Sequence, residues 1–216
     1  RDRLGIKPLY YSHSDKGLVF GSEPKIMTKF KKGPCRLNPR AISDYFGYRY
    51  VLDGKSFFSD IESLEAGTHL VFSKGKANKI KYWELPIERE KDKFNEEKLK
   101  EDLMDLLKSS VKYRMISDVP FGAFLSGGLD SSILVSIMNR LQEDPIRTYT
   151  IGFAEEGFNE FSYAQEVSDY LNTNHTQTIM DPDSYLEAML EMIKIKDAPL
   201  AVPNEIALHK MSKILK

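Results

Sequence analysis

The sequence predicts a mixed α+β front section followed by an α/β section built on a parallel, doubly wound sheet. Three observations carry this. Short β-like runs punctuated by Gly, Pro and Lys fill the first part of the chain. From about residue 98 onward, β-branched and aromatic runs alternate with segments whose apolar residues recur at helical spacing. Between the first such run and the following helix stands the turn Ser126-Gly127-Gly128. Strands alternating with helices of this length argue for parallel pairing. In such sheets ligands bind beyond the C-terminal ends of the strands, where that turn lies. The composition shift between residues 85 and 97, almost all charge over 88–93, marks a boundary. The expected domains are 1–87, a charged linker over 88–97, and 98–216.

Taken in order, residues 1–11 lead into a strand, 12–17 are turn-like, and 18–22 return as a second strand. Glu23-Pro24 opens a short helix to Phe30. Asn38-Pro39 reads as an N-cap with proline in the first helical turn, and Ala41, Ile42, Tyr45 and Phe46 give that helix an apolar face. Residues 68–73 and 79–84 alternate around a 74–78 turn, which predicts a hairpin. Asn95 caps a long helix with Leu99, Leu103, Leu106, Leu107 and Val111 on one buried face. A helix runs from the glycine turn to Leu141, and a strand follows over 147–153. Ser162 and Gln165 have capping-box spacing for the helix that ends near Tyr170. Residues 175–180 are the third strand of this section, and Asp181-Pro182 opens a helix to about Ile195.

The chemistry concentrates in Leu125-Ser126-Gly127-Gly128-Leu129-Asp130-Ser131-Ser132. The two glycines let the backbone turn sharply and approach a ligand. The turn opens a helix, so unpaired N–H groups and the positive end of the helix dipole point into it. Ser126, Ser131 and Ser132 add hydroxyls, and the whole suits a phosphate or pyrophosphate. Asp130 would repel a bare phosphate; a divalent cation between them, Mg²⁺ first, resolves this. The plainer alternative is a strand-to-helix turn capped by Ser and Asp. Two glycines, an acid and three serines within seven residues favour the phosphate site. The stretch lacks Gly-Lys-Ser/Thr, so it is not a Walker loop.

Composition narrows the classes. Lys+Arg 31 against Asp+Glu 32 in 216 residues gives a net charge of −1, so no nucleic-acid or anionic-membrane partner is indicated. No apolar run approaches the ~20 residues of a membrane span. One cysteine, Cys35, excludes an internal disulfide and fits a reducing cytoplasm. The four histidines lack metal-ligand spacing. A chain that starts at Arg1 and ends on a lysine within a helical pattern reads as a piece of a longer protein.

Three stretches together resemble the glutamine-hydrolysing asparagine synthetase family. Asp2-Arg3-Leu4-Gly5-Ile6-Lys7-Pro8-Leu9-Tyr10-Tyr11 is similar to a segment late in that family's glutaminase domain. Ser117 through Ser132 is similar to its synthetase loop, the pyrophosphate loop of the N-type ATP pyrophosphatases. Thr150-Ile151-Gly152-Phe153, with Asn159-Glu160 and Leu171-Asn172-Thr173-Asn174-His175, matches the next strand, acidic loop and helix end. The resemblance implies the tail of an N-terminal-nucleophile glutaminase followed by the start of an ATP pyrophosphatase domain. It implies ATP and Mg²⁺, adenylation of a carboxylate such as aspartate with release of pyrophosphate, and amidation by ammonia drawn from glutamine. It assigns ATP and pyrophosphate to Leu125, Ser126, Gly127, Gly128, Leu129, Asp130, Ser131, Ser132, Ile151 and Gly152, and the metal and catalytic acid to Asp130. The backbone at Leu125 and Ile151-Gly152 would hold adenine and ribose.

The family's glutaminase nucleophile is an N-terminal cysteine whose own amine is the base. Cys35 is internal, so no nucleophile is expected in this chain and the piece alone is expected to be inactive. Where many members have Asp-Glu-Pro and Asp-Pro-Ser, this chain has Asp197-Ala198-Pro199 and Val202-Pro203-Asn204. That departure keeps a sugar-acid amidotransferase open as an alternative, beside a GMP or NAD synthetase and a non-catalytic nucleotide-binding relative. Asp197 reads equally as a substrate or metal contact and as a helix-end acid. A homodimer of the full-length protein stays open.

Overall fold

The computed structural model describes residues 1–14, 17–30, 33–87, 95–154 and 159–215. The chain divides into two compact units, Arg1–Arg89 with Glu191–Val202, and Glu90–Leu190 with Pro203–Lys216.

In the first unit, β1 (Tyr10–Ser14) pairs antiparallel with β2 (Gly17–Gly21); both expected strands form, but Ser12–Ser14 and Gly17 belong to them and not to the turn expected over 12–17. Next come α1 (Pro24–Phe30) and α2 (Pro39–Tyr48). The Asn38 side chain accepts from the N–H groups of Arg40 and Ala41, at 3.2 and 3.4 Å, so the cap forms as its sequence dictates. Ala41 is fully buried, whereas Phe46 is 81% exposed, so the apolar face of α2 is narrower than expected. A two-residue strand, β3 (Glu62–Ser63), completes the sheet in the order β2-β1-β3. Tyr11, Met27, Ala41, Ile61 and Leu64 form its buried apolar set.

The hairpin is β4 (Thr68–Ser73) and β5 (Lys76–Lys81), with Ser73 opposite Lys76. Its second strand starts three residues earlier than expected. The reason is the turn: Lys74 and Gly75 carry φ of 50° and 75°, the two-residue form that matches strand twist.

The stretch that opens at Asp2 folds into a clamp. The Asp2 carboxylate accepts from the N–H groups of Ile6 and Lys7, both at 3.0 Å. These donors hold its carboxyl below the usual carboxylate range. The Arg1 guanidinium donates to the carbonyls of Gly5, Lys7 and Leu64 at 2.6, 2.9 and 2.7 Å. These residues fix the entry to β1.

The second unit begins with α3 (Glu96–Arg114), capped by the Asn95 side chain accepting from Lys98 N–H at 3.2 Å. Of the linker expected over 88–97, residues 88–94 lie outside the described residues, while 95–97 are the N-cap and first residues of α3. Of the expected buried face of α3, Val111 is buried, but Leu99, Leu103 and Leu106 are 48, 58 and 67% exposed. Then follow β6 (Gly122–Phe124), α4 (Leu129–Leu141), β7 (Arg147–Phe153), α5 (Phe161–Leu171) and β8 (Asn174–Met180). The three strands are parallel, in the order β6-β7-β8. α6 (Pro182–Lys196) and α7 (Asn204–Ile214) close the chain.

Alternation along β7 sets the two faces of the sheet. Thr148, Thr150 and Gly152 are buried toward α5, and Tyr149, Ile151 and Phe153 share a cleft with α7 residues. Leu125, Val135 and Ala164 form the core under the loop that leaves β6, with Ala123, Val167 and Leu171 packed against them. The expected capping box of α5 does not form. Glu160 is the N-cap without a side-chain bond, and Gln165 instead donates to Asp169 at 2.8 Å. Ser162 falls inside the helix, two positions past the N-cap.

Candidate functional site

The Ser126–Ser132 turn sits where the ladder of β6 and β7 ends, because Leu125 N–H still donates to Tyr149 O at 2.9 Å. Leu125 is 1% exposed, so the turn starts from a fixed point. Gly127 has φ +78°, and a Cβ there would lie 2.4 Å from the Tyr163 carbonyl carbon and 2.6 Å from Ala164 N. Only glycine fits, and the turn is thereby seated against the first turn of α5.

The hydroxyls inside the turn satisfy one another. Ser131 Oγ donates to Gly128 O at 3.1 Å and accepts from Ser126 N–H at 3.3 Å. Its one proton is used, so in the 3.1 Å contact between Ser126 Oγ and Ser131 Oγ the donor is Ser126. Ser126 Oγ in turn accepts from Gly128 N–H at 3.2 Å. Ser132 Oγ also donates to Gly128 O, at 2.8 Å. Gly128 is the N-cap of α4 and has no side-chain cap, so the first-turn N–H groups of Leu129 and Asp130 face outward. A ring of hydroxyls around the uncapped start of a 13-residue helix is suited to an anion.

Beside this turn opens a cleft of about 610 Å³, of a size for a nucleotide. Leu125, Ser126, Ser131 and Ile151 of the expected site line it. Gly127, Gly128, Leu129, Asp130 and Ser132 form the adjoining turn, with Leu129 75% exposed and Asp130 exposed on the first turn of α4. Gly152 is buried on the opposite side of β7, where a Cβ would meet Phe161 Cζ at 2.7 Å and Asn159 Cβ at 2.8 Å. Of the remaining wall, Thr150, Asn159, Glu160 and Asn204 lie in stretches that the resemblance singled out, whereas Tyr149, Tyr185 and Met211 were marked by no local motif. They arrive from β7, the residues just before α5, α6 and α7, and become neighbours only through the fold.

The Thr150 hydroxyl donates to the Leu125 carbonyl. His175, on β8, reaches Thr150 Oγ1 through Nε2 at 3.4 Å and Thr148 Oγ1 through Nδ1 at 2.9 Å. Burial pushes its imidazole below the usual histidine value.

Among the described residues no three His, Cys, Asp or Glu side chains group to hold a metal. A single carboxylate beside a turn suited to an anion nonetheless fits Mg²⁺, which is commonly bound through one or two carboxylates and the substrate's own phosphates. Asp197 is the chemically explained exception to the expected site. In the first unit its carboxylate accepts from Lys25 N–H at 3.0 Å and pairs with Lys25 Nζ at 3.7 Å, so it serves the start of α1. Cys35 is a half-buried free thiol. Among the described residues no helix is long and apolar enough to cross a membrane.

Comparison with known proteins also divides the chain in two, with residues 191–202 in the second part. A family model described as asparagine synthase matches residues 102–216, and one described as a glutamine amidotransferase domain matches residues 1–83. A Methanocaldococcus jannaschii protein provisionally named as glutamine-hydrolysing asparagine synthetase 2 is 35% identical over 219 residues, covering 99% of this chain and 42% of the relative. Glutamine-hydrolysing asparagine synthetase 1 of Bacillus subtilis is 29% identical over 217 residues, covering 99% of this chain and 33% of the relative. Asparagine synthetase 3 of the same organism is 27% identical, covering 92% and 34%. The chain thus spans less than half the length of each of these relatives.

Proposed function

The chain belongs to the asparagine synthase family, and from that premise we propose that the whole protein is an ATP-dependent, glutamine-hydrolysing amidotransferase that adenylates a carboxylate and then amidates it. The observation that carries the reading is the Ser126–Ser132 turn, pinned by Gly127 at φ +78° beside the cleft lined by β7 and α7. In the proposed reaction an acceptor carboxylate oxygen attacks the α-phosphorus of ATP. The α–β bridging bond breaks and pyrophosphate leaves. Ammonia from glutamine then attacks the acyl carbon, AMP departs with the bonding pair, and the nitrogen loses a proton.

The chain's own residues supply the first half. N–H groups at the start of α4 would bind the departing pyrophosphate, and the Ser126, Ser131 and Ser132 hydroxyls, which bond within the turn here, would rotate to donate to it. Negative charge grows there as the bond breaks, so donors fixed in advance favour the transition state over the ground state. Leu125 and Ile151 would flank the nucleoside through their backbone, with Gly152 keeping the strand close to α5. Asp130 would hold Mg²⁺, which when bound neutralises charge on the phosphates. Domains of 1–87 and 98–216, joined over 88–97, would divide glutaminase and synthetase work. A chain of residues 1–216 alone is expected to release no glutamate from glutamine, since its one thiol, Cys35, has no α-amine beside it.

Aspartate is the acceptor proposed first. A different acid is the second reading, favoured by Ala198, Val202 and Asn204, which remove carboxylates and a hydroxyl from the stretch. Asn204 lines the cleft. Acid-dependent ATP–pyrophosphate exchange decides both points. With the right acid, Asp130→Asn in the complete protein should lower exchange by ~10² or more while glutamine hydrolysis largely survives. As a mere helix-start acid Asp130 would contribute only ~0.3–1 kcal/mol through the dipole. Near-normal exchange in folded Asp130→Asn removes the metal assignment. Exchange stimulated by sugar acids and not by aspartate selects the second reading.

A further inference from the structure

The polar side chains beneath the loop form a line whose direction can be worked out. Each hydroxyl has one proton to give. That of Thr150 goes to the Leu125 carbonyl. The 3.4 Å contact between Thr150 Oγ1 and His175 Nε2 must therefore be donated by the ring. A neutral imidazole with its proton on Nε2 leaves a lone pair on Nδ1, which accepts from Thr148 at 2.9 Å. Thr148 then accepts from Thr173 at 2.8 Å, and Thr173 from Ser168 at 2.8 Å. The protons run one way, from Ser168 on α5 through β8 and β7 to the residue that begins the phosphate turn.

Burial makes this line consequential. Thr148, Thr150 and Ser168 are 0, 5 and 2% exposed, so water does not replace a lost partner. Hydrogen bonds in series polarise one another in such surroundings. The far end is Leu125, whose N–H is already tied to Tyr149 O at 2.9 Å. Both backbone polar groups of Leu125 are thus anchored to β7, and Ser126 follows directly.

Resting on the nucleotide reading above, we propose that His175 is a positioning residue for the nucleotide site: its Nε2–H orients the Thr150 hydroxyl, which fixes the Leu125 carbonyl and so the geometry of the Ser126–Ser132 turn. The neutral ring this needs agrees with the direction in which burial moves the His175 imidazole.

The test uses the complete protein and two kinds of readout. Thr150→Val keeps shape and removes the donor; Thr150→Ser restores it; His175→Phe removes the ring nitrogens. In ATP–pyrophosphate exchange, Thr150→Val and His175→Phe should raise the KM for ATP by roughly 5–10-fold, the scale of one neutral hydrogen bond, with a smaller change in kcat. Thr150→Ser should return the KM to within about twofold of the parent, on the same scale. Nitrogen NMR of the histidine rings at pH 8 should show His175 protonated on Nε2 and bare on Nδ1. Amide resonances of residues 126–132 should shift in Thr150→Val and return in Thr150→Ser. Bare Nε2, or a folded Thr150→Val with unaltered loop amides, overturns the proposal even if Thr150→Val or His175→Phe fails to fold elsewhere in the set. A protein without exchange activity that still passes the NMR tests would instead overturn the nucleotide reading and leave the positioning role standing.

Discussion

Gly127 concentrates the constraints of the site in one residue. Its φ of +78° strains any L side chain, and a Cβ would overlap the backbone of Tyr163 and Ala164, which cannot swing aside as a side-chain tip can. Gly127→Ala should therefore destabilise the second unit by ~1–3 kcal/mol from backbone strain alone, with the overlap adding to it. Thermal unfolding of parent and variant checks this, and an unchanged midpoint would show that α5 yields to the loop. His175 supplies a pH signature at the same scale. Its folded-state pKa is lowered, chiefly by burial. The unfolded chain therefore takes up a proton that the folded chain resists, and its contribution to stability is complete above about pH 6.5 and is lost as pH falls through the folded value. Thermal midpoints taken between pH 8 and pH 5 should fall more steeply for the parent than for His175→Gln. Parallel curves would mean that the ring titrates alike in both states.

At the scale of elements, caps and turns show how local sequence becomes geometry. Asn38 accepts from two N–H groups of α2, and its amide donates to Ser56 O at 3.3 Å. Asn38→Ala should cost ~1 kcal/mol or somewhat more, because a cap and a tertiary bond go together, and Asn38→Asp should recover only the share of the cap, since a carboxylate cannot donate to Ser56 O. Denaturant titration of the three proteins tests the order, and equal stability of the alanine and aspartate forms would contradict it. The same locality explains what was legible in the sequence. The 147–153 strand was readable because its apolar and β-branched residues specify pairing on their own, and the 126–132 turn because its chemistry is contiguous. β3 has two residues and no period to read. The face of α3 has the helical period but mostly exposed leucines, since periodicity states which residues share a face and not what covers it. At the site, Thr148, Thr150, Ser168, Thr173 and His175 come from separate strands and helices, and no spacing along the chain foretells that line.

For the whole molecule, the path of the chain matters more than the boundary near residue 90. The first unit holds Arg1–Arg89 and Glu191–Val202, so the chain passes from one unit to the other at three places. Residues 191–202 are held within the first unit by specific bonds. Lys25 Nζ donates to Ile195 O at 2.9 Å at the end of α6, where a cation complements the helix dipole. Asp197, with φ +55° and a side chain only 14% exposed, accepts from Lys25 N–H at 3.0 Å. Tyr45 OH donates to Leu200 O at 2.6 Å. A chain shortened to 98–216 would keep this segment and lose α1 and α2, which hold it. Its left-handed Asp197 and its carbonyls would then face water with nothing to select their conformation. Local opening there should become easy while β6, β7 and β8 persist, because their core of Leu125, Val135 and Ala164 lies outside the segment. Trypsin should therefore cut the shortened chain after Lys194 or Lys196 roughly tenfold faster than the full chain, the factor for ~1.4 kcal/mol of lost protection. Lys25→Met in the full chain should move the rate part of the way. Equal cutting rates in all three would mean that the segment is ordered by α6 alone.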